Sequence, residues 1–181
     1  MNVDETLMIL AVLKAAYPHA YKDMKKADGE AMVKLWQMQF ASESFQEVSA
    51  AVNALIATRT VGYSPTIGEV KERLYRLRNV NELSEGEAWS MVYKALSNGY
   101  YGYMKEWEKL PPEVQRAVGH PEQLREWSMM ETETVQSVVA SNFMRSYRVM
   151  KERAKEVEKL PESVREMVGG IAEGMKMLPP E

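Results

Sequence analysis

SPTIGEVKERLYRL, residues 64–77, both opens a helix and shapes its buried face. Thr66 and Glu69 stand at capping-box spacing, where the hydroxyl takes the amide three residues on and the carboxylate reaches back. Ile67, Val70, Leu74 and Leu77 then recur at i, i+3, i+7 and i+10, the stripe of an amphipathic helix. Nothing here alternates with the period of two that a strand requires. The same grammar holds on both sides of this stretch and fixes the expected class as all-α.

Upstream, Leu7, Leu10, Leu13 and Tyr17 form a stripe behind a candidate Asp4 cap, and Pro18 stops it. Asp28 can cap a second helix carrying Met32, Leu35, Trp36 and Phe40, and Phe45, Val48, Val52, Leu55 and Ile56 mark a third that ends near Arg59. With the helix after Thr66, these predict an N-terminal four-helix bundle over residues 1–80. RNVNELSE, residues 78–85, reads as a linker.

Residues 84–181 predict a second helical region. Ser84 and Glu87 repeat the capping box before Trp89, Val92, Tyr93 and Leu96, and Asn98-Gly99 reads as the stop. The longest run, from about Thr132 to Lys159, carries Val135, Val139, Phe143, Tyr147, Met150, Ala154 and Val157 at helical spacing. A near-repeat frames this half. EKLPPEVQRAVG at 108–119 returns as EKLPESVREMVG at 158–169, and LPPE stands again at 178–181. Each copy predicts a helix corner: a terminal Leu, a Pro at the next start, two inward Val and a Gly stop. An alternative reading makes the copies two equivalent docking surfaces.

The composition excludes several chemistries. With no cysteine in 181 residues, disulfides, zinc–thiolate sites, iron–sulfur clusters and cysteine nucleophiles are ruled out. His19 and His120 are the only imidazoles, and neither has a nucleophile or base at a working spacing. The phosphate-binding pattern G-x-x-x-x-G-K-[ST] does not occur. The expectation is a protein that binds rather than catalyses, with no cofactor and no metal. No N-terminal apolar run is long enough to span a bilayer, so the expected location is cytoplasmic. Net charge is −3, split as ten Lys/Arg against nine Asp/Glu in residues 1–80 and thirteen against seventeen beyond. Fourteen methionines suit helical gap-filling and adaptable partner surfaces alike.

The elements Tyr17-Pro18, Trp36, Ala54-Leu55-Ile56-Ala57 and Pro65-Thr66-Ile67-Gly68-Glu69 together resemble the N-terminal domain of the bacteriophage replicative-helicase loader/inhibitor family. The likeness covers the first eighty residues. In the second half, EWEKLPPEVQRAVGHPEQLREW and SNFMRSY resemble C-terminal regions of phage and prophage proteins. The family resemblance implies a partner, the hexameric replicative helicase of host or phage type, which the protein holds inactive. It then delivers the helicase to an origin-bound initiator without hydrolysing ATP. It also implies that the C-terminal half carries the helicase contact.

Interface chemistry selects Phe143, Arg145, Tyr147, Arg148, Arg165 and Met167 as candidate contacts in that half. Two rival functions stand beside this one. A DNA-binding replication or transcription accessory protein would use basic residues on helices, here Arg73, Arg76 and Arg78 or Lys151, Arg153 and Lys155. A phage-encoded inhibitor of another host enzyme is the other.

Overall fold

The computed structural model describes the backbone of residues 1–176 and the side chains of residues 1–171, so the LPPE at 178–181 lies outside the described residues. Every regular element among them is helical. Two compact units emerge from the packing: Met1–Val80 together with the segment from Glu156 onward, and Asn81–Lys155.

The first unit contains α1 (Val3–Ala16), a 3-10 turn (Pro18–Tyr21), α2 (Lys26–Gln39), α3 (Phe45–Thr58) and α4 (Ile67–Arg78). Leu13, Phe40, Val48, Val52 and Val70 are fully buried at its centre, with Trp36 and Phe40 in ring contact at 5.3 Å. The expected four-helix bundle is therefore present. Its details differ in three ways. Asp28 does not cap α2 but lies within its first turn, where it accepts from the Lys25 amide at 3.2 Å. Asn2, not Asp4, caps α1: its side chain accepts from the Glu5 amide at 2.9 Å, and Glu5 accepts from the Asn2 amide at 2.8 Å. Leu7, Leu35 and Leu77, all assigned to inner stripes, face outward at 49%, 47% and 43% exposure.

The capping box at the head of α4 is complete, with Thr66 N–H donating to Glu69 at 2.7 Å and Glu69 N–H donating to Thr66 Oγ1 at 3.3 Å. Thr66→Ala should cost about 1 kcal/mol, read as a lower urea midpoint. It should leave partner binding unchanged.

At the other end of α4, Arg78 donates to Glu47 at 2.8 and 3.0 Å and also reaches Glu43. The Arg78 hydrogen bond, with help from Ser44, holds the Glu47 carboxyl down at about 2, against an ordinary 4.5. A depressed carboxylate stabilises the fold above its unfolded value, and that contribution is lost as pH falls through the folded one. Stability of this unit should thus decline as pH drops from 4.5 towards about 2. Arg78→Met should flatten that acid limb in thermal melts, because it removes the first cause of the shift. An unchanged limb would show that other carboxylates dominate it.

The second unit contains α5 (Glu85–Leu96), α6 (Gly99–Lys109), α7 (Pro112–Val118), α8 (Pro121–Ser128) and a short α9 (Thr132–Thr134). A π turn (Val135–Val139) leads into α10 (Ala140–Lys159), whose residues up to Lys155 belong to this unit. The Ser84–Glu87 capping box opens α5 as expected, through contacts of 2.8 and 3.2 Å. Helix α5 ends at Leu96, just before Asn98-Gly99 as expected, and Gly99 at once opens α6. A Cβ there would come within 2.8 Å of Ser128 Cβ and 2.9 Å of the Leu124 carbonyl. Only a glycine lets α6 and α8 approach so closely.

The first copy of the repeat is a true corner: Leu110, Val114 and Val118 are buried and Gly119 turns the chain at φ 103°. The second copy departs from that expectation. Helix α11 (Glu162–Lys176) runs straight through Gly169 and Gly170, and Val168 is 47% exposed. This copy also belongs to the other unit. The second region expected over 84–181 divides, and the segment from Glu156 packs with the first unit. Lys71 supplies the physical reason: its ammonium donates to the Lys159 carbonyl at 2.6 Å, while Lys159 itself pairs with Glu72.

Candidate partner-binding surface

Helix α10 carries seven of the twelve candidates named from sequence, and it uses them in different ways. Phe143 and Tyr147 point inward and are 2% and 1% exposed. Their rings stack at 5.9 Å, and Trp89 lies 5.5 Å from Phe143. Both are core residues of the second unit and cannot meet a partner without unfolding it, which corrects the expectation that they are contacts. Burial, with the fields of Glu113, Glu82 and Glu87, pushes the Tyr147 hydroxyl up to about 12. It therefore stays a neutral phenol.

Arg148 is also committed inside the unit. Its guanidinium grips Glu85 with two hydrogen bonds, at 2.6 and 2.7 Å, in the fork geometry that suits a carboxylate. That bond holds the Glu85 carboxyl below its usual range. Lys151 is tied down in a comparable way. It donates to the Leu83 carbonyl at 2.6 Å, lies 3.4 Å from Glu82 and sits 5.5 Å over the Tyr147 ring. Arg145 and Arg153 differ from both. They are exposed, lie with Val149 at four-residue spacing on the outer face of α10, and pair with no described residue. Lys155, the last basic candidate on this helix, is half-buried.

In the first unit, the three arginines of α4 are engaged with their neighbours. Arg73 donates to Thr58 Oγ1 at 2.8 Å, Arg76 pairs with Glu72 at 2.8 Å, and Arg78 with Glu43 and Glu47 as above. A phosphate would have to compete with carboxylates already bound at two of them.

Helix α11 gathers what the remaining candidates lack. Val164, Met167, Val168 and Ile171 occupy i, i+3, i+4 and i+7 of one face. The last three are 65%, 47% and 58% exposed, and Val164 is half-buried. Arg165 is exposed beside them, close enough to Lys71 to oppose its protonation, although burial is the larger cause of the lowered Lys71 value. A surface helix normally turns such a stripe inward. Arg165 and Met167 thus belong to a continuous apolar face with a cationic edge. Val168 and Ile171 belong to it as well. They escape sequence reading because the Gly169-Gly170 pair looks like the end of the helix.

Among the described residues no group of three His, Asp or Glu side chains could hold a metal ion, and no helix is long and apolar enough to cross a membrane. Residues 1–71 match the family model for the N-terminal domain of a phage helicase loader/inhibitor. Such a domain points to a phage protein that interacts with a helicase. No curated protein and no solved structure matches the chain.

Proposed function

Proceeding from a loader/inhibitor domain in residues 1–71, we propose that this protein binds a hexameric replicative helicase, restrains it, and delivers it to an initiator-bound origin. The observation that carries the reading is the apolar face of α11, which shares a chain with such a domain. Exposed Met and Arg are among the side chains that interface centres favour. Met167, Val168 and Ile171 supply buried area, and Arg165 meets an acidic group on the helicase. Arg145 and Arg153 on α10 act at longer range, by speeding encounter with an acidic partner more than by strengthening the final complex.

Restraint needs no chemistry from this chain. A protein that prefers one conformation of the helicase ring shifts the ring towards it by the difference in affinity between the two states. Release at the origin then requires a competing contact, which the initiator provides.

The test is a helicase activity assay. Adding the chain to purified replicative helicase should lower its DNA-stimulated ATP hydrolysis saturably, and initiator-bound origin DNA should restore it. Unaltered hydrolysis at saturating chain would end the restraint reading. Tight DNA binding by the chain alone, falling steeply with salt, would instead favour the accessory DNA-binding function through Arg145 and Arg153.

A further inference from the structure

Lys71 of α4 is 7% exposed, a depth at which an ammonium is costly unless its charge is compensated. Leu77 on the same helix is 43% exposed, so the buried face of α4 runs through the lysine instead. Two contacts compensate the charge. The ammonium donates to the Lys159 carbonyl at 2.6 Å and lies 5.6 Å from the centre of the Phe40 ring. Lys159 is the last residue of α10, so its carbonyl is one of the four that a helix leaves without an internal partner. It also stands at the negative end of the helix dipole, where a cation is favoured. Lys71 is thus a C-terminal cap supplied from eighty-eight residues away. Glu72 adds its pairing with the Lys159 side chain, and Pro161, where the corner into α11 begins, is buried.

The duplicated corner shows why such a cap is needed. Both turns close in the same way. Val114 and Gln115 each donate to the Pro111 carbonyl at 2.9 Å, and Val164 and Arg165 donate to that of Pro161 at 3.0 and 2.9 Å. The first corner is anchored by its apolar stripe, with Val114 and Val118 buried in the core of the second unit. In the second corner Met167 and Val168 stay open, so that anchor is missing. A grip on the backbone and side chain of Lys159 replaces it, and this grip leaves the apolar face unused. We propose that Lys71 is a positioning residue, whose cap on α10 fixes where α11 begins and so presents its apolar face to the partner. The proposal rests on the reading of that face as the helicase contact. Arg165 stands close enough to oppose the protonation of Lys71. An acidic group of the partner seated on Arg165 offsets this opposition, so that binding and the cap reinforce each other.

Two full-length variants supply the test. Lys71→Met keeps a side chain of similar length without the ammonium, and Lys71→Arg keeps a cationic donor. In free Lys71→Met, hydrogen–deuterium exchange over residues 156–168 should quicken at least about tenfold through loss of a charged hydrogen bond. Exchange in α3 should not change. Helicase affinity should fall at least about fivefold, the low end of a typical coupling between sites. The urea transition of the first unit should be no lower than that of wild type, since an apolar chain replaces a buried charge. Lys71→Arg should recover most of the slow exchange and of the affinity. Unchanged exchange over 156–168 in Lys71→Met would overturn the proposal, and this measurement needs no helicase. Faster exchange with full helicase affinity would overturn it as well. So would a loss of first-unit stability in step with the loss of affinity, because the lysine would then serve the bundle and not α11. If the wild-type chain bound no helicase, the helicase reading would fall, while exchange would still decide whether Lys71 holds the corner.

Discussion

Replacing Phe143 with alanine should destabilise the second unit by about 3–5 kcal/mol, the cost of removing a buried aromatic ring and leaving its cavity. The ring is 2% exposed and is held between Trp89 and Tyr147, so the void cannot collapse without moving α5 against α10. A large fraction of the stability of a small unit is at stake. Urea titration followed by circular dichroism should show the transition of this unit moving to much lower urea. If the variant instead unfolded like wild type and lost only partner binding, Phe143 would be a contact and its place in the core would be wrong.

The second large effect concerns binding. Met167→Asp together with Ile171→Asp places two carboxylates on the exposed face of α11. Helicase affinity should fall at least about 100-fold, roughly 2.7 kcal/mol, because a desolvated interface centre leaves those charges unpaired. Neither side chain contributes to a described core, so the melting curve should hardly move. Arg148→Glu makes the opposite control. It breaks the pairing with Glu85 and puts two carboxylates together, and it should lower stability more than it lowers affinity.

Much of the fold can be read from the chain because its signals are local. Capping boxes at Thr66 and Ser84, Pro112 at a helix start and Gly119 at a stop act within one turn, and each sits where the pattern places it. Less local properties leave no such mark. The periodicity that singles out Phe143 and Tyr147 establishes that they share a face, but only their burial, with Trp89 against Phe143, tells core from contact. The partner of Arg148 lies sixty-three residues away in sequence and leaves no trace near it. Likewise, Val157 continues the stripe of α10 yet is 51% exposed, because the helix has by then left the second unit. Gly169-Gly170 misleads for a different reason. Glycine in a helix costs only about 1 kcal/mol per residue relative to alanine, so a pair marks a weak point and not necessarily an end.

A chain that acts by holding a helicase must travel with it, and sedimentation velocity on a mixture with purified hexameric replicative helicase decides whether it does. In the presence of a non-hydrolysable ATP analogue, the wild-type chain should move with the hexamer at a fixed stoichiometry, and the Met167→Asp/Ile171→Asp variant should sediment on its own. Separate boundaries for wild-type chain and helicase, with or without nucleotide, would show that no such complex forms.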